Sequence, residues 1–452
     1  MAAIYCSICR VVDSVIKEEE VVTRDDLEEI VEGSGLWSVG NRLTHGFVLS
    51  PDVYRLDMAR RIELEKLSAA IHDCLRGLSR VACISNHGTL GTSRAWAHIA
   101  SVCRAGLPKQ YSEIAFSNPH QYPLICKVDL LEGTDEKFYI VEIDAHNKHG
   151  MGYATLAARM RAFIAEHGAT TFPGVAPMMA GAITGKGHSE MFLVWAKHEK
   201  FYVPEFHVFR EEMEKLGVRV RLVSEPDAPV TITNIWDLDF YKTGTSQRPE
   251  LFVDLPAMYY DSRLRDSLIN GYRMGTIDLL IPPKPYLGSK GVLALLANEI
   301  KDPEIEAILL SQISTEALAR VRDHLPATYL VTRFGNPDWK SILRSGRWVL
   351  KEGISSGMKG VAFSDEVLFE VAFDQALRAK NSFVLQAEVE NKPERFAYFE
   401  DDGTYKVGQY YKRLTMHIAH RKIAEMTVTA RPDRRIHGAK DCLQLGTVVV
   451  ES

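Results

Sequence analysis

The stretch WVLKEGISSGMKGVAF, Trp348 to Phe363, decides how this chain is read. An apolar strand ends in a lysine, Lys351. A loop of small residues follows, Gly353, Ser355, Ser356, Gly357 and Gly360, with a second lysine, Lys359, inside it. The strand fixes an ammonium, and the glycines let backbone N–H groups approach an oxyanion without a Cβ in the way, which suits a polyphosphate. The spacing is neither the GxxxxGK[ST] of a P-loop nor the GxGxxG of a dinucleotide fold. By itself a Gly/Ser loop between strands is equally an ordinary hairpin, so the flanking segments carry the decision.

Upstream, PPKPYLGSKGVLALLANEI (Pro282 to Ile300) offers Ser289 as the cap of a helix with Val292, Leu293, Leu296 and Ile300 at helical spacing, and puts Lys290 on its first turn. The backbone donors and dipole of that helix end would assist the lysine with an anion. Downstream, NSFVLQAEVE (Asn381 to Glu390) reads as a strand with Gln386, Ala387, Glu388 and Val389 at its far end. Two β-rich runs follow, Thr415 to His420 and Glu425 to Arg431, carrying or neighbouring Arg413, Arg421 and Arg431. The order is helix-borne lysine, strand-borne lysine, glycine loop, QAEV strand end, basic strands.

In that order the segment from about residue 284 to 452 resembles an ATP-grasp domain, and GSKGVLALL is similar to the NKxxLxxLL segment of glutathionylspermidine-synthase-like members. The resemblance implies that Lys290 and Lys351 bind the nucleotide phosphates, with Gly353, Ser355, Ser356 and Gly357 in the loop that closes over them. It also implies that Gln386 to Val389 form the adenine hinge. Two features depart from the family: Glu352 follows the strand lysine where proline is usual, and no E-x-N pair ends the chain. The segment EMTVTARPDRRIHGAKDC supplies Glu425, Asp433 and Asp441 instead, and Glu425 and Asp441 are the expected magnesium ligands because Mg2+ prefers oxygen donors.

The activity implied is that of an ATP-dependent carboxylate–amine ligase using ATP and Mg2+ and passing through an acyl phosphate. Arg413, Arg431 and Lys359 would stabilise the transferring phosphoryl group. The alternatives are an ATP-grasp phosphotransferase acting on a small molecule and a catalytically decayed nucleotide-binding protein. The partners implied are a small-molecule carboxylate and an amine, and a homodimer stays open.

A second polar constellation is EIDAHNKHGMG, Glu142 to Gly152, at the end of an expected strand Tyr139 to Ile143. Loops at strand C-termini are where open α/β domains bind ligands, so Glu142, Asp144, Asn147 and His149 are the expected substrate contacts. Two histidines and an acid on one loop are too common to define a metal site. SNHGTLGTSRAW, Ser85 to Trp96, is a further glycine-containing loop with carboxylate-binding potential.

Composition sets the outer bounds. The chain has 452 residues, 46% apolar and 25% charged, enough for two or three domains. A net charge of −5 argues against nucleic acid as a main partner. No apolar run reaches the roughly 18 residues of a membrane span, and the N-terminus lacks a basic leader. Seven scattered cysteines suggest reduced thiols and a cytoplasmic setting, with Cys6 and Cys9 read as ordinary packed residues.

The fold class expected is α/β (α+β), with three parts. Residues 1–185 form a helical and substrate-binding region whose clearest helix runs from about Pro51 to Leu78. Residues 186–283 form an open α/β domain with strands Met191 to Trp195, Val218 to Val223 and Leu251 to Leu255 and a helix Val208 to Leu216 stopped by Gly217; Lys242 to Pro249 reads as a loop. Residues 284–452 form the ATP-grasp part, in which Asp302 and Ser314 start successive helices.

Overall fold

The computed structural model describes residues 22–36, 47–86, 93–107, 112–146, 149–164, 170–195, 200, 202–224, 250–253, 272, 278–355, 360–438 and 441–451. Cys6, Cys9, Asn147, Ser356, Gly357, Lys359, most of the loop within Ser85 to Trp96, and the expected loop from Lys242 to Pro249 lie outside them.

The described residues form a mixed α/β fold with three sheets. Helix α1 (Arg24–Val31) begins at a capping box built by Thr23 and Asp26. Strand β1 (Tyr54–Asp57) then runs straight into the long helix α2 (Met58–Asn86). The sequence reading started this helix near Pro51. Tyr54 to Asp57 instead pair in parallel with Thr447 to Val450 at the far end of the chain, a long-range partner that local periodicity cannot reveal. The expected stripe of Leu64, Leu67, Ile71, Cys74, Leu75 and Leu78 is buried.

Helices α3 (Arg94–Arg104) and α4 (Ser112–Ala115) lead to the hairpin β2 (Ile125–Glu132) and β3 (Phe138–Asp144), followed by α5 (Met151–Ile164) and α6 (Val175–Gly185). Next come β4 (Glu190–Trp195), α7 (Val203–Lys215), β5 (Arg219–Ser224), β6 (Glu250–Val253) and β7 (Asp278–Leu279). These strands form a parallel sheet, in the order β5-β4-β6-β7, and Gly217 leaves the helix at φ +82°.

Helices α8 (Lys290–Ala297), α9 (Pro303–Leu310) and α10 (Thr315–Asp323) start at Ser289, Asp302 and Ser314, each accepting from a first-turn amide. A small antiparallel sheet follows, built from β8 (Thr328–Leu330), β9 (Trp348–Glu352), β10 (Val361–Phe363) and β11 (Phe383–Ala387) in the order β10-β9-β11-β8. Trp348, Leu350 and Leu385 pack there against Phe369, Phe373 and Ala376 of α12 (Phe369–Arg378), and α11 (Trp339–Arg344) lies alongside.

The chain ends in β12 (Glu394–Phe399), β13 (Tyr405–Ala419), β14 (Lys422–Arg431) and β15 (Leu443–Val450). They join the early strands in one large sheet, order β1-β15-β14-β13-β2-β3, with β12 also on β13. Residues 284–452 therefore do not complete this sheet alone; β1, β2 and β3 come from ahead of residue 186.

The two faces of the large sheet differ sharply. Val128, Leu130, Leu414, Met416, Ile418, Met426, Val428 and Leu445 belong to one apolar core that includes α2. The alternate residues are polar. Register sets Arg413 opposite Thr429, Thr415 opposite Thr427 and His417 opposite Glu425. It also sets Thr415 opposite Asp129, His417 opposite Lys127, Asp129 opposite Glu142 and Lys127 opposite Asp144. Residues paired across strands share a face, so one side of the sheet carries a continuous polar surface.

Candidate functional site

A cleft of about 750 Å³ lies between the small sheet and the polar face of the large one. It draws Asp129 from β2, Val141 and Glu142 from β3, Lys290 from the start of α8, and Lys351 from β9. Gln386 to Glu390, Tyr411 and Arg413 of β13, and Arg434, Ile436 and His437 of the 431–442 loop complete it. Of the residues singled out from sequence, Lys290, Lys351, Ser355, Gln386, Ala387, Glu388, Val389, Glu142 and Arg413 all line this one cavity.

Both lysines reach across to β3 of the large sheet. Lys351 Nζ donates to Gln386 Oε1 at 2.6 Å and to the Val141 carbonyl at 3.2 Å. Lys290 Nζ donates to Glu142 Oε1 at 2.9 Å and to the Ser355 carbonyl at 3.3 Å. Loss of water around Lys351, reinforced by the Lys290 charge, pushes its ammonium down to about 8. Two ammoniums that repel each other at the wall of a cavity favour an anion between them.

Gly353 works differently from its sequence reading. Gly353 N–H donates to the Ser382 carbonyl at 2.7 Å, and the Gly353 carbonyl accepts from Lys290 N–H at 2.8 Å. That amide is therefore spent inside the protein and is not available to a phosphate. A Cβ at Gly353 would collide with Ser382, so glycine is needed there for close approach of two chains. The start of α8 is similarly occupied: Ser289 Oγ takes Gly291 N–H, and Lys290 N–H goes to Gly353. Lys290 contributes its side chain, without the free backbone donors expected at a helix N-terminus. Gly360 closes the loop at φ +69°.

At the expected hinge, Ala387 N–H is used by the Ala327 carbonyl and Glu388 N–H by the Arg347 carbonyl. Val389 is the next residue along the cleft wall. The Gln386 side chain is buried and turns to Lys351.

Arg413 pairs with Asp129 at 3.2 Å, and Thr415 Oγ1 donates to the other Asp129 oxygen at 2.8 Å. Arg431 lies one layer back. It grips Asp441 through Nε and Nη2, both at 3.1 Å, and approaches His437 Nε2 at 3.0 Å. Burial, then the Arg431 and Arg413 charges, lower the His437 imidazole below its ordinary range. Arg434 spans the cleft mouth to Asp365 at 2.7 Å and Glu388 at 3.3 Å, with its guanidinium 4.4 Å from the Phe363 ring centre.

The expected metal ligands are not brought together. Glu425 is fully buried beneath α5, where it pairs with Arg161, and it does not line the cleft. Its site excludes water so well that burial raises its carboxyl to about 7 despite that arginine. Asp441 is about half exposed and committed to Arg431. Among the described residues no group of three or more acidic, histidine or cysteine side chains is arranged to hold a metal.

Among the described residues of the 142–152 segment, Glu142 alone lines the cleft. Asp144 pairs with Lys127 at 2.9 Å and His146 at 3.1 Å. Burial works to raise its carboxyl, but these two partners outweigh it and hold it well below the ordinary range. The His149 ring stacks on Tyr202 at 3.6 Å, away from the cleft.

Asp129, Arg434, Arg347 and Phe363 were missed from sequence. Asp129 had a legible signal: in KVDLLE it alternates with buried Val128 and Leu130, so it had to face the opposite side of its strand. The five described cysteines, Cys74, Cys83, Cys103, Cys126 and Cys442, are buried and free of disulfides. No helix among the described residues is long and apolar enough to cross a membrane.

No protein-family model and no curated relative matches the chain. Among solved structures, it is similar to a Methylobacillus flagellatus KT protein described as "Putative gamma-glutamylcysteine synthetase", with 12% identity, a TM-score of 0.38 and 86% of each chain covered. A likeness at that level carries no argument about the site.

Proposed function

We propose that the cleft binds magnesium-ATP and that the protein is an ATP-grasp carboxylate–amine ligase. The observation that carries this reading is the pair Lys290 and Lys351, gathered with the carboxylates Asp129 and Glu142 in one cavity between two sheets. Its volume of about 750 Å³ falls within the range of about 300–1,000 Å³ typical of small-molecule sites.

The lysines neutralise the polyphosphate, and Val349, Phe363, Val389 and Ile436 offer apolar walls to a base. Asp129 and Glu142 are the residues that would hold magnesium. They are register neighbours on adjacent strands, both line the cleft, and both supply oxygen donors. Each is balanced by a cation, Arg413 or Lys290. A polyphosphate that draws those cations frees the carboxylates for the metal. When bound, magnesium offsets charge on the transferring phosphoryl group.

In the reaction, a substrate carboxylate oxygen attacks the γ-phosphorus and the bond to ADP breaks, giving an acyl phosphate. An amine then attacks the acyl carbon, loses a proton and expels phosphate. The chain supplies position and charge and needs no nucleophile of its own. Arg413, anchored to Asp129, is the cation that the polar face of β13 presents to the acceptor; Lys359, outside the described residues, would add charge at the transferring phosphoryl group.

The test replaces the amine with hydroxylamine and screens small carboxylates for ADP release. ADP with a matching hydroxamate supports the ligase. A stable phosphorylated product with no hydroxamate would replace it with a phosphotransferase, and no ADP with any carboxylate would indicate a decayed site.

A further inference from the structure

Gln386 stood in the sequence as part of the adenine hinge, but its side chain has another use. It sits between two partners in register: Thr328 on β8 on one side and the β9 strand carrying Lys351 on the other. Thr328 and Gln386 are both buried. The Thr328 hydroxyl donates to the Pro326 carbonyl at 2.6 Å. Its oxygen is then left to accept, and it takes Gln386 Nε2 at 3.1 Å. The amide oxygen therefore faces Lys351, at 2.6 Å.

We infer that Thr328 is a positioning residue for Lys351, acting through Gln386 by fixing which end of the amide the lysine meets. An amide can turn over, and its NH2 end would confront the ammonium with donors. Thr328 prevents this, because turning its hydroxyl to serve a reversed amide would strand the buried Pro326 carbonyl. The fixed acceptor from the small sheet and the Val141 carbonyl from the large sheet occupy two of the three ammonium N–H groups. The third is left for a ligand in the cleft. The charged groups facing Lys351 are Lys290 on α8, Glu142 on β3 and Asp129 on β2. Because burial already works against its charge, the direction of this one amide weighs on whether the lysine keeps its proton.

The inference rests on the proposed function only for the identity of the ligand, so its test has a readout without nucleotide. Lys351 is labelled with acetic anhydride across the neutral to alkaline range and its acetylation is read by mass spectrometry. In Thr328→Val, which keeps the branched shape, the labelling midpoint is expected to fall by about one pH unit, a roughly tenfold rise in neutral amine near neutrality. Thr328→Ser should restore it. If the valine variant does not fold, Thr328→Cys takes its place with the same expectation. Coincident midpoints in wild type and the folded variant would overturn the inference, as would failure of serine to restore the midpoint. Magnesium-ATP affinity against pH is measured alongside. A shifted labelling midpoint in a protein that binds no ATP would sink the nucleotide reading and leave the role of Thr328 standing.

Discussion

Lys351 combines a fixed position with a costly charge. Its ammonium sits at about 8, below the usual lysine value of 10.5, chiefly because burial strips its water. A bound polyphosphate favours the charged form, so binding near pH 8 should take up protons. Affinity for magnesium-ATP should fall as pH rises through that value. Titration calorimetry in two buffers of different ionisation enthalpy checks this; a heat independent of buffer at pH 8 would contradict it. The stability sign follows from the same shift. Between about 8 and 10.5 the unfolded chain holds a proton that the folded one has lost, so this group's penalty is full below pH 8 and is relieved as pH rises through the window.

Elements, more than loops, place these side chains. A Cβ at Gly288 would collide with the His146 ring, which locks the turn before α8 to the 142–152 loop and so sets Lys290 against Glu142. Gly288→Ala should cost about 1–3 kcal/mol and weaken nucleotide binding, read by thermal unfolding and calorimetry. At the other end of the large sheet, Arg161→Met leaves Glu425 buried without its partner. It should destabilise the fold by about 3–5 kcal/mol while leaving nucleotide affinity unchanged, the opposite of what a magnesium-binding Glu425 would require. Helix starts at Ser289, Asp302 and Ser314 were legible because a cap is a local chemical event. Strand β1 was not, because its partner lies at the other end of the sequence. Gly353 was legible as a required glycine but not as one whose amide is already spent, since Ser382 is brought to it only by folding.

At the scale of the whole molecule, the cleft exists because the chain returns to its beginning. The C-terminal strands β12 to β15 carry Arg413 on β13, but the facing carboxylates Asp129 and Glu142 come from a hairpin formed before residue 150. The sequence ordered the cationic half of the site, lysine, lysine, loop and arginine. It placed Glu142 of the acidic half at the site only as a substrate contact, left Asp129 unread, and assigned the metal ligands to Glu425 and Asp441 near the end of the chain. Arg434 and Arg435 of the 431–442 loop tie that sheet to Asp365, Glu366 and Glu388 of the smaller unit, so the two walls are joined at the mouth. The most direct test of the account is calorimetric titration of magnesium-ATP into wild type and Lys351→Ala. Saturable binding by wild type, weakened about 10- to 100-fold in the variant as expected for loss of charge-assisted hydrogen bonds, is the predicted result. Equal affinities in the two proteins, or no binding by wild type, would contradict it.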